Sequence, residues 1–406
     1  MIPSKPSQLA HAGDQLQITK ALEMDRMVNC YSASLPRKPE NTTSPLSPAR
    51  TLAVVGSTGF LGPYIVASLL QEYPESNVIC FNRSNSGEQR TMAALQEIMG
   101  EMSSVRQRLK FLVTNIASRV RELHHDPIVE TIPKVEELVF NAWDANWGKS
   151  LGSFEPLLKG LRVVVDLLVS APSCPRITFI SSICAVGDWP LRHPDRPLVP
   201  EEVIWDCNSA MPNGYGQSKC VAEQLLAKAY EIAKLRVNII RAGQIGGPMS
   251  LENRTWPRQG WLYSIIQSSV KIGAFPNRVQ PLDWIPVDAL AQGIANCIKL
   301  SSAAAGLQVY NMVHPRPTSW TLLHKVLHTR FGFLVELVDL PEWLRRINHE
   351  DLRIHSFLST QGGGRETNMS YEINRAKAIL PPVSLIDVDV LATWLSGWGL
   401  EPRARI

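Results

Sequence analysis

Tyr215 and Lys219 stand four residues apart in Tyr215-Gly216-Gln217-Ser218-Lys219, which opens a helical pattern running to Ala233. Residues at i and i+4 share one helical face, so phenol and ammonium are neighbours. A tyrosine with a free pKa near ~10 exchanges protons poorly at neutral pH unless a nearby cation favours the phenolate. Lys219 is such a cation, and its ammonium can also hold a ribose. Upstream, a strand over Ile177–Ile180 ends in Ser181-Ser182. Hydroxyls at that carboxyl end face the cleft where ligands bind in open α/β sheets. Ser182 stands 33 residues before Tyr215.

A second group of residues is suited to phosphate. Val54-Val55-Gly56-Ser57-Thr58-Gly59-Phe60-Leu61-Gly62 follows an apolar run and opens a helix, with glycines spaced G-x-x-G-x-x-G. Gly56 permits the tight turn, Gly59 lets the backbone approach a pyrophosphate, and Gly62 lets helix pack closely on strand. The phosphate then meets free N–H groups at a helix N-terminus. Pro63 falls in the first helical turn, where its missing N–H costs little. The loop, with Ser57, Thr58, Phe60 and Leu61 between its glycines, is expected to bind a dinucleotide. The next strand ends Cys80-Phe81-Asn82-Arg83-Ser84, without the acid that usually meets the ribose of NAD. Arg83 can instead make charge-assisted bonds to a 2′-phosphate, so NADPH is the expected cofactor. Arg90 is either a second contact or a solvated helix residue.

These groups need a scaffold. From Thr51 strands and helices alternate. Strands are expected at Thr51–Val55, Asn77–Phe81, Leu109–Val113, Glu137–Phe140, Arg176–Ile180 and Val237–Ile240, with helices at Phe60–Gln71, Glu88–Met102, Phe154–Val169 and Tyr215–Ala233. Such alternation predicts an α/β fold, a doubly wound parallel sheet with helices on both faces. Residues 51–248 are read as this NADP-binding layer and 249–406 as a smaller, mostly helical substrate lobe, with a late return to the layer near 283–312. Residues 1–50, with Ser-Pro at Ser44-Pro45 and Ser47-Pro48, read as a Pro/Ser-rich linker carrying one helix over Leu16–Tyr31.

Composition narrows the function classes. The chain has 406 residues and a net charge of +4 from 41 Lys+Arg against 37 Asp+Glu, too balanced for a nucleic-acid partner. No apolar run approaches the ~20 residues of a membrane span, and no leader pattern follows Met1, so a cytoplasmic protein without a membrane partner is expected. The seven cysteines are dispersed without a C-x-x-C pair, which excludes a disulfide scaffold and argues against a metal site. His124-His125-Asp126 reads as a loop, and Gly362-Gly363-Gly364 as a flexible loop lacking the strand a phosphate site needs. All eleven tryptophans lie between Trp143 and Trp398, a hint that the substrate side lies in the later chain.

Glycine loop, strand-end serine and Tyr/Lys helix, in this order, resemble the extended short-chain dehydrogenase/reductases from about Thr51 to Leu300. Ser153-Phe154-Glu155-Pro156, Gly214–Lys219, the run Arg241-Ala242-Gly243-Gln244-Ile245-Gly246-Gly247-Pro248, Trp256, Trp261 and Asp283-Trp284-Ile285-Pro286-Val287-Asp288 narrow this. The set is similar to the terminal thioester reductase domains of fungal nonribosomal peptide and polyketide synthases and to their carboxylate-reducing relatives. Leu22–Pro39 resembles the linker after the carrier domain of such enzymes.

The resemblance implies an extended-type Rossmann fold and catalytic roles for Ser182, Tyr215 and Lys219, Ser182 being placed by its offset from Ala185-Val186-Gly187. It implies that Asn141 and Ala142, after the fourth strand, and Gly243 and Ile245, after the sixth, face the cofactor. It also implies an acyl chain on phosphopantetheine, reduced by NADPH to an aldehyde or on to an alcohol. Asn115, in Thr114-Asn115-Ile116, replaces the acid usual near the adenine. With no carrier serine in residues 1–50, the acyl group is expected on a carrier protein in trans or on coenzyme A, and the enzyme is expected to be a monomer. Two alternatives remain open: a dehydrogenase of free small molecules, and a dinucleotide-sensing regulator.

Overall fold

The computed structural model describes residues 7–37, 50–118, 126–173, 175–250, 256–301, 306–347, 358 and 370–400. Its strands are β1 (Thr51–Val55), β2 (Asn77–Asn82), β3 (Leu109–Val113), β4 (Glu137–Phe140), β5 (Arg176–Ser182), β6 (Leu198–Val199), β7 (Arg236–Ala242), β8 (Ile245–Gly246), β9 (Ala274–Pro276), β10 (Ile285–Pro286), β11 (Leu307–Met312), β12 (Glu336–Val338) and β13 (Ser370–Tyr371). Seven form one sheet in the order β3-β2-β1-β4-β5-β7-β11, every pair parallel. A parallel sheet covered on both faces needs continuous apolar strands. β4 and β5 are buried along their whole length, and β1 from Leu52 onward. The helix Leu61–Glu72 is buried at every residue from Leu61 to Leu70, as expected of a helix that is apolar all round.

The strand order reverses between β1 and β4. Chains leave these neighbours in opposite directions, which opens a crevice beyond their carboxyl ends. Gly56 follows β1 and Asn141 follows β4, in register at Val55↔Phe140. The sheet thus brings together two loops 85 residues apart in the chain.

Contacts divide the chain into two compact units: residues 1–242, 291–312 and 370–380, and residues 243–290, 313–369 and 381–406. The late segments join the first unit for physical reasons. β11 pairs with β7 at the sheet edge, and β13 pairs with β6. The Glu201 carboxylate accepts N–H bonds from Asn311, Arg375 and Ala376 at 3.2, 2.6 and 2.9 Å. These pairings are long-range, so no local pattern announces them.

The N-terminal segment also differs from a loose linker. Its helix runs Ser7–Ser32, and Ala21, Met24, Val28, Tyr31 and Leu35 are buried in the core of the first unit. The Tyr31 hydroxyl donates to Glu155 at 3.2 Å, and Arg162 donates to the carbonyls of Ala33 and Ser34 at 2.8 and 3.1 Å. The Ser-Pro repeats, His124-His125 and Gly362-Gly363-Gly364 lie outside the described residues.

The second unit is built on indoles. Trp256 packs against Trp284, Trp394 and Trp398 with ring centroids 5.0–5.5 Å apart. Trp256, Trp394 and Trp398 each donate an indole N–H to a carbonyl: Ile245 at 3.1 Å, Pro248 at 2.9 Å and Trp256 at 2.8 Å. Most of the late tryptophans are core.

Candidate active site

β1 delivers the glycine loop into the crevice. Gly56 has φ +93°, a region that L side chains rarely adopt, and a Cβ there would stand 2.9 Å from the Ala142 nitrogen. Asn141 Nδ2 donates to the Gly56 carbonyl at 2.9 Å. Asn141 and Ala142 are therefore the wall against which the loop turns. A Cβ on Gly62 would lie 2.5 Å from the Gly56 oxygen, so this residue packs the helix onto the turn. Over Gly59 there is open space, as a closely approaching phosphate requires. Thr58 and Phe60 are half-buried, whereas Leu61 is buried with the helix.

Ser57 behaves differently from the loop backbone. It is fully buried; its hydroxyl bonds Asn82 Oδ1 at 3.0 Å and shares a 2.9 Å hydrogen bond with Thr91. Its side chain ties the loop to the end of β2 and to the helix Gly87–Met99, leaving only its backbone for a ligand. The same contact engages Asn82, so the group left at the end of β2 is the exposed Arg83. Arg90 reaches back to the loop and donates to the Thr58 carbonyl at 3.3 Å. Beyond β3, Asn115 is exposed and closes a turn by accepting from Ala117 N at 3.2 Å.

The second group of residues gathers at the end of β5. The helix Gly214–Ala233 is capped by Asn213, whose side chain accepts from Gly216 N at 2.8 Å. That cap sets the first turn, and with it Tyr215. The two serines at the end of β5 engage different partners. Ser181 points away, donating to Glu223 at 2.5 Å. Ser182 accepts from Cys184 N at 3.2 Å and stands beside the Tyr215 phenol, where it opposes the rise in that group's pKa. Glu223 in turn pairs with Arg241 at 2.8 Å; both are buried, and Arg241 also donates to the carbonyls of Pro200 and Glu202. Arg241 lies within β7, and its role in fixing the Tyr215 helix has no local sequence signal.

Lys219 is buried in the same cluster. Its Nζ donates to the Ile180 carbonyl at 2.5 Å and lies 5.9 Å from the centre of the Tyr215 ring. Burial raises the phenol's pKa, the Cys184 thiol adds to that rise, and Ser182 opposes it. Burial likewise pushes Lys219 well below an ordinary lysine, with Glu223 and Cys184 pulling the other way. Trp143, just after Asn141-Ala142, completes the cluster by donating its indole N–H to Ser218 Oγ at 3.1 Å.

Gly243 and Ile245 follow β7 directly, both half-buried; Ile245 pairs with Ile285 across β8 and β10. Among the described residues no group of three His, Cys, Asp or Glu side chains is placed to hold a metal, and no helix is long and apolar enough to cross a membrane.

A Rossmann sheet whose switch point meets a glycine loop and a Ser/Tyr/Lys cluster has the architecture of a dinucleotide-binding protein. Comparison with known proteins agrees: a model of NAD-binding domains described as male sterility protein matches residues 54–294, and the chain belongs to that family. It is 29% identical over 334 residues to a carboxylic acid reductase of Neurospora crassa, covering 80% of this chain and 31% of that protein. It is 30% identical over 334 residues to the adenylate-forming reductase Nps10 of Heterobasidion annosum, covering 80% and 29%. The chain thus spans about three tenths of these relatives. The terminal R domain of the myxalamid PKS-NRPS pathway shares the fold with a TM-score of 0.73 at 20% identity, over 93% of this chain and 97% of that one. The chain thus has the NAD-binding fold of its family and shares it with the reductase domains of such pathways.

Proposed function

We propose that this domain reduces an acyl thioester with NADPH and releases the acyl chain as an aldehyde. The observation that carries the reading is the gathering of Ser182, Tyr215 and the buried Lys219 at the carboxyl end of β5, in the sheet that also presents the glycine loop. Gly56, Gly59 and Gly62 fit a dinucleotide: the first turns the backbone, the second leaves room for a pyrophosphate, the third seats the helix. Arg83 and Arg90 favour the 2′-phosphate of NADPH, since no carboxylate stands at the end of β2 and Asn82 is held by Ser57.

When bound, the cofactor supplies a hydride to the thioester carbonyl carbon. Ser182 and Tyr215 hold the oxygen on which negative charge develops, and Tyr215 gives it a proton. The resulting hemithioacetal loses thiol and leaves the aldehyde; a further two-electron round gives the alcohol. Carboxylic acid reductase and adenylate-forming reductases among the relatives, and R domains among the structures, support a substrate carried as a thioester on phosphopantetheine or coenzyme A.

The test mixes purified protein with NADPH or NADH and a series of acyl-pantetheine and acyl-CoA thioesters, with free aldehydes and ketones alongside. Aldehyde or alcohol formed from thioester with NADPH is expected. Turnover of free carbonyls alone defeats the thioester assignment, and equal use of NADH defeats the role given to Arg83.

A further inference from the structure

Lys219 occupies a box of aromatic rings. Its Nζ lies 4.5 Å from the centre of the Trp143 ring and 4.6 Å from that of Phe179. Its one hydrogen bond goes to the Ile180 carbonyl. The side chain is buried, and among the described residues no carboxylate lies within ion-pair distance. A buried ammonium in that position loses its proton unless something else favours the charge.

Among the charged and titratable neighbours, Glu223 and Cys184 oppose that loss, each with other commitments. Tyr215 and Glu223 face it from its own helix, Ser181 and Ser182 from β5, Cys184 from the turn after β5, and Arg241 from β7 through Glu223. Glu223 is already committed to Arg241 and Ser181. Burial pushes the Cys184 thiol up to about 11, so it is neutral at pH 7. The Ile180 carbonyl and the two ring faces remain. The negative face of an aromatic quadrupole attracts a cation, most strongly for tryptophan and when water is excluded.

Trp143 is fixed in this role from several sides. Its N–H binds Ser218 Oγ, and that hydroxyl donates to the Tyr215 carbonyl at 2.7 Å. Its ring stands edge-on to Phe179 at 5.5 Å and to Phe140 at 6.4 Å. The indole is thereby tied to the same helical turn that carries the tyrosine and the lysine.

We propose that Trp143 is a positioning residue for the reductase reaction, holding the Lys219 ammonium charged and aimed beside Tyr215 by offering it a ring face. The inference rests on the reading of Ser182, Tyr215 and Lys219 given above. Its test does not depend on turnover. The titration of Lys219 is followed by NMR of 13C-lysine-labelled protein, with the signal assigned through Lys219→Arg, in wild type, Trp143→Leu, Trp143→Phe and Phe179→Leu. In Trp143→Leu the midpoint is expected to fall by about one pH unit or more. Trp143→Phe, which keeps a ring face, retains most of the wild-type midpoint. Phe179→Leu moves it in the same direction as Trp143→Leu, a check that stands if Trp143→Leu does not fold. The basic limb of the thioester-reduction profile moves with the midpoint. An unchanged midpoint in folded Trp143→Leu overturns the proposal, as does a shift equally large in Trp143→Phe. A wild-type protein inert toward every thioester defeats the functional reading instead, and the lysine titration still decides the role of Trp143.

Discussion

The two units bury very different things. The first buries polar and charged groups inside a parallel sheet: Ser57 against Asn82, Glu223 against Arg241, and Lys219 under two rings. The second buries indoles and satisfies most of their N–H groups with backbone carbonyls. Buried polar networks are costly unless fully paired, and they hold their members in one arrangement. Indole packing supplies apolar area with little directional demand beyond a single donor. The contrast separates a region whose buried groups are held by directional pairing from one whose buried groups set shape.

Mutations probe that contrast, beginning with the strongest. Tyr215→Phe is expected to lower kcat by roughly 10²–10⁴-fold, the usual worth of a positioned proton donor, with the thermal unfolding midpoint little changed. A variant that keeps full activity removes Tyr215 from the chemistry. Glu223→Ala leaves Arg241 buried without its carboxylate and takes the acceptor from Ser181. Breaking a buried pair costs about 3–5 kcal/mol, which urea denaturation reads, and activity is expected to fall as the helix of Tyr215 loosens.

Gly247→Ala tests the second unit. A Cβ there would meet Trp394 at 2.4 Å, and overpacking of this kind costs about 1–3 kcal/mol. A neutral effect on stability would show the indole core to be more yielding than its packing implies. The smallest effect is a slope. Glu137, buried in β4 near Arg176, has its pKa raised to about 7, chiefly by burial. Between its ordinary value and about 7 the folded chain holds a proton that the unfolded chain has released. Stability therefore falls as pH rises through that window, by no more than about 1.4 kcal/mol per pH unit. Glu137→Gln is expected to flatten the slope in denaturation curves taken across the window.

Much of this was legible beforehand. The strands Thr51–Val55 and Glu137–Phe140 match the expected limits, because a strand buried on both faces must read as an apolar run; the edge strand Leu109–Val113 matches too, though only Leu109 of it is buried. The glycine spacing carried its meaning because each glycine answers a separate steric demand. What stayed hidden is non-local. Ser57 belongs to the phosphate-loop motif, yet its hydroxyl serves β2 and the following helix. Trp143 was counted among tryptophans of the later chain, whereas it packs beside Lys219 in the sheet unit.

Sequence alone determined the residue types that do chemistry and their order along the chain: glycine loop, strand-end serines, tyrosine and lysine on one helical face. These follow from local periodicity and from backbone sterics. Only the tertiary structure joined Ser181 to Glu223, set the Lys219 ammonium on the Ile180 carbonyl, and paired Glu223 with Arg241. The reason is that each of these choices is made by a partner from another strand or helix, and which partners meet is set by strand order and register in the sheet.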